Sequence, residues 1–308
     1  MRTPNFFMIG APKCGTSAMA TYLHANPQVY FCRPREPHYW AFDFPKLQKY
    51  YGITTLEKYL QLFEDAGPKH VAIGDKSTCY LASKTAVRQI RAFDDSAKVL
   101  VMLRNPLHMI QSWHHMMVVD LNENVADFEL AWNLQSRRAQ GQDIPATCLV
   151  PEFLQYREWA CYAAYLKEVV KIVPADQLKI VIFEEFIAEP RRIYCEVCSF
   201  LGVDDDGRTD FPPVGESHVH ALPAIGRLIM RPPSWFEPVA IAIRRRAHQK
   251  PSGIISFAKR FIRRKEKRRS LRSEFEQHLR ETFAADITWL EDILGRPLEV
   301  WRNDPKAG

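Results

Sequence analysis

Residues 6–23 read FFMIGAPKCGTSAMATYL. A short apolar run ends at Gly10, four residues follow, and Gly15 leads into Thr16 and Ser17. This pattern predicts a buried strand, a glycine-bounded turn and a helix that Pro27 stops. Backbone N–H groups at residues 14–17 would face an anion there, and the helix dipole favours negative charge. The Gly-to-Gly spacing is that of a P-loop, in which lysine follows the second glycine directly. Here Thr16 holds that seat and Lys13 sits inside the loop. Triphosphate chemistry needs the post-glycine lysine on the β- and γ-phosphates, and an Asp that helps hold magnesium. The apolar run VLVMLRNP ends instead in Arg104. A nucleotide with one 5′-phosphate carrying a small reactive group fits this loop better than a triphosphate. Lys13 would then touch the bridging oxygen and the group being transferred.

The rest of the chain alternates between strand and helix. QVYFC, HVAIGDKS, AKVLVMLRNP and QLKIVIFEEF read as strands. TTLEKYLQLFEDA, SKTAVRQIRAF, PLHMIQSWHHMMVV and PRRIYCEVCSFLGV read as helices, and PEFLQYREWACYAAYLKEVVKIV as one long helix. This alternation predicts an α/β fold of P-loop-like, three-layer type, with a central parallel sheet and helices on both faces. Ligands of open α/β sheets bind beyond the carboxyl ends of the strands, where both the first loop and Arg104 fall.

With 46% hydrophobic and 25% charged residues, the 308-residue chain has an ordinary globular composition. No run of about 18 apolar residues predicts a spanning helix. The start lacks the pattern of a signal peptide. The seven cysteines are odd in number and scattered, which favours a reducing compartment over a disulfide framework. Cys195 and Cys198 read as helical thiols, and no second Cys/His pair completes a zinc site. These features together predict a cytoplasmic protein. Residues 244–272 hold thirteen Lys/Arg against one acid, Glu266, in a chain whose total charge is +6. The basicity thus belongs to one segment, and no nucleic-acid partner is expected.

Four stretches in order, GAPKCGTSAMATYLHANPQV, REPHYW, GDKSTCYL and VLVMLRNPLHMIQSWHH, resemble the sulfotransferases that use 3′-phosphoadenosine-5′-phosphosulfate (PAPS). The resemblance is to the carbohydrate-type branch with its bacterial members, and it spans roughly residues 6–202. It implies that PAPS is the co-substrate and that no metal is required. It implies that Lys13, Cys14, Gly15, Thr16 and Ser17 cradle the 5′-phosphosulfate. Arg104, with Ser112 eight residues on, would hold the 3′-phosphate; a guanidinium suits a phosphate dianion. Glu36 matches the family's catalytic glutamate and is the expected general base. His38 is expected to hold Glu36 or meet the substrate, and Lys76 to face the sulfuryl group. A surface carboxylate paired with Arg33 or Arg35 is the plain alternative for Glu36. Tyr162 and Leu166 match a family pattern whose glycine is here Cys161, and stay outside the expected site. His114 and His115 are expected to pack or lie at the surface.

The expected layout is a PAPS-binding core over residues 1–225, a basic, partly helical segment over 226–272 and a C-terminal helix over 273–308 that packs back on the core. The expected acceptor is a hydroxyl of a glycan, glycolipid or natural product. A small-molecule kinase and a non-catalytic basic adaptor are the competing readings. Ile254, Ile255, Phe257, Ala258, Phe261 and Ile262, flanked by Lys259, Arg260, Arg263 and Arg264, predict an interfacial helix. Such a helix would bring the protein to the inner face of an anionic membrane.

Overall fold

The computed structural model describes residues 2–214 and 271–302, with the backbone of 218–220 and 263–265. Its centre is a five-stranded sheet of β1 (Phe6–Gly10), β2 (Val29–Phe31), β3 (Ala72–Lys76), β4 (Lys98–Leu103) and β5 (Leu178–Ile182). The order is β2-β3-β1-β4-β5 and every pairing is parallel. β1 is central and wholly buried, which is why its residues form an unbroken apolar run instead of an alternating one.

Six helices of eight residues or more surround the sheet among the described residues: α1 (Thr16–Ala25), α2 (Ala86–Phe93), α3 (Pro106–Val119), α4 (Tyr162–Ile172), α5 (Pro190–Leu201) and α6 (Ser273–Leu294). α1 packs with α5, α2 with α4, and both α3 and α4 with α6. α6 buries Phe275, Leu279, Phe283, Ile287 and Leu290, a stripe at the three- to four-residue spacing of one helix face. No described helix is long and apolar enough to cross a membrane.

Adjacent β1 and β4 send their following segments to opposite sides, β1 toward β2 and β4 toward β5. Their carboxyl ends therefore open a crevice where a parallel sheet binds its ligands. The loop after β3 joins the same rim, since Ser77 N–H donates to Met8 O and Leu81 N–H to Ile9 O.

Three elements depart from the expected pattern. The long helix expected over 151–173 breaks into a short turn (Pro151–Leu154), a helix at Tyr156–Ala160 and α4. Cys161 leaves the helical conformation (φ −79°, ψ 75°), and Asp286 of α6 accepts the Ala163 N–H to start α4 afresh. β5 ends at Ile182, and Phe183–Ala188 is helical with Glu184 and Glu185 in the first turn, where acids suit the helix dipole. Arg263–Lys265 is a strand, antiparallel to His218–His220, so Arg263 and Arg264 do not continue a helix. Ladder pairing with a distant segment overrides local periodicity there. The remainder of the basic segment up to residue 270, with the interfacial stretch 254–262, lies outside the described residues.

Candidate active site

The loop between β1 and α1 is built on two glycines. Gly10 has φ +152°, and a Cβ there would meet Thr78 O and Leu81 Cβ, each at 2.8 Å. Gly15 has φ +82°, and its Cβ would meet Phe183 at 2.6 Å. Gly15 is the residue preceding α1, and Lys13 inside the loop also takes a positive φ of 63°. This curled backbone brings the first N–H groups of α1, which lack intrahelical partners, to the crevice. Cys14 turns its side chain into the protein. Its thiol is buried, donates to Pro12 O at 3.3 Å, and is pushed by burial up to about 12. Thr16 is buried and Ser17 exposed.

Arg104 directly follows β4 beside this loop. Its Nη1 donates to Lys13 O at 3.4 Å and its guanidinium lies 4.6 Å from the Phe183 ring centre. Phe183 thus packs against both Gly15 and Arg104. Tyr162 Oη donates to the Arg104 carbonyl at 2.9 Å and lies 3.8 Å from Cys14 Sγ. Tyr162, left outside the expected site, therefore ties the two loops together from below. Ser112 lies buried on α3, against which the backbone of 218–220 also packs.

Glu36, His38 and Lys76 converge at the other end of the loop. Lys76 Nζ donates to Glu36 Oε1 at 2.5 Å and to Ser17 Oγ at 3.2 Å. Thr78 Oγ1 donates to Glu36 Oε2 at 3.1 Å, and His38 Nε2 lies 4.0 Å from that oxygen. Burial works against the Glu36 charge, but Lys76, His38 and the two hydrogen bonds outweigh it and hold the carboxyl at about 2. Glu36 is thus ionised at neutral pH. Its partner is Lys76. Arg35 turns away to Thr21 Oγ1 (2.9 Å) and Arg33 points toward His24. Burial lowers the His38 pKa, so its ring is neutral, with Nδ1 3.0 Å from Cys79 Sγ. His114 is a packing residue: its Nε2 is 2.9 Å from Val125 O. Among the described residues, no group of three or more His, Cys, Asp or Glu is placed to hold a metal ion.

Beneath Lys76 lies Asp75, fully buried, which the sequence does not single out. Its carboxylate accepts from Ser77 Oγ (2.8 Å), Tyr59 Oη (2.9 Å) and Tyr80 Oη (2.9 Å). Ser77 Oγ in turn accepts the His38 N–H at 3.1 Å. Asp75 thereby joins β3 to the Glu36–His38 turn. Burial pushes its carboxyl up to about 7 despite these bonds. The fold favours the protonated form, while the unfolded chain ionises near pH 4. Stability is therefore expected to fall as pH rises from about 4 through 7, by on the order of 2–4 kcal/mol from this group. Glu36, with its depressed pKa, acts in the opposite sense and only below its ordinary value of 4.5. Urea titrations across pH 4–8 should show a flatter profile for Asp75→Asn than for the wild type. Parallel profiles would deny Asp75 the role.

A family model described as the sulfotransferase domain matches residues 3–210, more than half of the chain. The chain belongs to the sulfotransferase family. Among curated relatives, the chain is 26% identical over 254 residues to carbohydrate sulfotransferase 15 of Rattus norvegicus, covering 65% of the chain and 44% of that protein. It is 26% identical over 212 residues to the bifunctional heparan sulfate N-deacetylase/N-sulfotransferase 2 of Bos taurus, covering 66% of the chain and 22% of that protein. The chain thus spans less than half the length of these relatives. The crystal structure of a sulfotransferase from Alicyclobacillus acidocaldarius superposes with a TM-score of 0.71 at 24% identity, covering 98% of this chain and all of that one, and shares its fold. Loop 11–17 is where these contacts meet: Lys13 O contacts Arg104 and Ser17 Oγ contacts Lys76.

Proposed function

We propose that this sulfotransferase moves a sulfuryl group from PAPS to a hydroxyl of a glycan, glycolipid or related acceptor, with Glu36 as general base. The observation that carries the reading is Lys76 Nζ, which touches both the Glu36 carboxylate and Ser17 of the anion loop. A base and an anion cradle that share one lysine suit transfer of an anionic group to a hydroxyl.

The residues present fit the donor. Arg104 Nε is buried without a hydrogen-bond partner, a donor left over for a phosphate oxygen. The loop N–H groups, Lys13 and Ser17 would take the 5′-phosphosulfate, and Arg104 the 3′-phosphate. When bound, PAPS supplies the electrophilic sulfur and the 3′,5′-bisphosphate leaving group. Glu36 would accept the acceptor's proton as that oxygen bonds to sulfur and the sulfur–phosphate oxygen bond breaks. Lys76 would share its charge between the carboxylate and the sulfuryl oxygens, where negative charge accumulates. Lys13 would stabilise the leaving phosphate. The carbohydrate and heparan sulfate names of the relatives support a glycan-type acceptor.

Calorimetry tests the donor half. Adenosine 3′,5′-bisphosphate should bind and raise Tm without magnesium, whereas ATP with magnesium should not. Arg104→Ala should weaken the bisphosphate by about tenfold to over a hundredfold, the worth of one charge-assisted contact of about 1.5–3 kcal/mol. Unchanged affinity would remove Arg104 from the phosphate site. Turnover of PAPS against a panel of hydroxylated acceptors then identifies the acceptor.

A further inference from the structure

α6 and the turn after it lie beyond the 3–210 stretch that the family model matches, yet they reach the backbone on both sides of the Arg104–Asn105 peptide. The first contact runs through Trp301, itself buried. Its indole Nε1 donates to Glu184 Oε2 at 2.8 Å, and the other oxygen of that carboxylate accepts the Asn105 N–H at 3.1 Å. Asn105 Nδ2 also donates to Trp301 O at 3.3 Å, while its Oδ1 accepts the Leu107 N–H that starts α3. The second contact runs through Asp286 of α6. Asp286 Oδ1 accepts the Ala163 N–H at 2.8 Å and so fixes the start of α4. Tyr162, the first residue of α4, donates its hydroxyl to Arg104 O at 2.9 Å.

We infer that the C-terminal segment 273–302 is a positioning element for Arg104, with Trp301 and Asp286 as its two arms. Together they pin the Arg104 carbonyl and the following N–H, so the guanidinium is aimed before any nucleotide arrives. An arginine selects a phosphate sharply only when its backbone and its guanidinium are both held, and Lys13 O and Phe183 already hold the guanidinium. The inference rests on the donor reading of Arg104, and the test separates the two.

The test compares two ligands, adenosine 3′,5′-bisphosphate and adenosine 5′-phosphate, on the full chain. Wild type should prefer the bisphosphate strongly. Trp301→Phe keeps a buried ring and removes one hydrogen bond to a carboxylate. It should cut that preference by about five- to twentyfold, with adenosine 5′-phosphate affinity changed by less than about twofold. A purely structural role would weaken both ligands alike and leave their ratio intact. Asp286→Ala reads the second arm in the same way, and carries the test if Trp301→Phe does not fold. An unchanged ratio in the folded variants overturns the positioning role. A wild type indifferent to the 3′-phosphate overturns the donor reading instead.

Discussion

Glu36→Gln is expected to lower kcat by about 10²- to 10⁴-fold, the usual worth of a general base, while the affinity for adenosine 3′,5′-bisphosphate stays near wild type. The amide keeps the shape and an oxygen that Lys76 can still reach, so the turn that carries it should persist. What it loses is the capacity to take a proton. The carboxyl held at about 2 is a weak base while Lys76 sits on it. Basicity should rise when Lys76 turns from Glu36 to an anionic sulfuryl group, because the strongest influence lowering its pKa is then withdrawn. The prediction therefore has two readouts: the rate under saturating donor, and the bisphosphate Kd. Normal turnover by Glu36→Gln would transfer the base to His38, whose neutral ring lies 4.0 Å away. Lys13→Ala should impair both readouts, since that side chain would contact ground state and transition state alike.

Arg138→Met is expected to cost about 3–5 kcal/mol of stability, the usual result of stranding one member of a buried ion pair. Arg138 and Glu123 are both wholly inaccessible and joined by two hydrogen bonds of 2.6 and 2.8 Å. Glu123 also accepts from Tyr156 Oη at 2.6 Å and from the N–H groups of Asn124 and Val125, each at 2.9 Å. Arg138 Nε donates to Asp143 O at 3.3 Å. This cluster ties the end of α3 to the short helices at residues 128–139 and to Tyr156. Removing the cation leaves a carboxylate in the interior with neutral donors only. The double variant Glu123→Gln/Arg138→Met removes both charges and should regain part of the loss. Denaturant melts of the three proteins decide it. A single variant as stable as wild type would show that the pair is not what holds this region.

Much of the candidate site was legible in short stretches because short stretches build its backbone. The turn from Gly10 to Gly15 demands backbone angles and clearances that side chains deny, so its glycines announce it. The apolar runs of β1 and β4 announce buried parallel strands, and an arginine at the end of such a strand must face the crevice. Local pattern, with its proline and glycine boundaries, likewise placed α1, α3 and α5. It failed at Cys161 and after Ile182, where the chain changes course for reasons supplied by other elements: Asp286 capping α4, and Phe183 turning onto Gly15 and Arg104. It failed again at Arg263–Lys265, where a distant strand decides the conformation.

The pairings on which the proposed mechanism rests came from tertiary structure alone. Lys76 lies 40 residues from Glu36 and 59 from Ser17 along the chain. Nothing in GDKS says which carboxylate its lysine will neutralise, and Arg33 and Arg35 were the nearer candidates by sequence. Asp75 looks like any strand residue until Tyr59, Tyr80 and Ser77 close around it. Trp301 stands 117 residues from Glu184 and 196 from Asn105. Backbone geometry and burial are imposed within a few residues and leave a local signature. Partner choice among charged and polar groups is imposed by packing, which brings distant segments within hydrogen-bond reach only after the sheet and its helices have assembled.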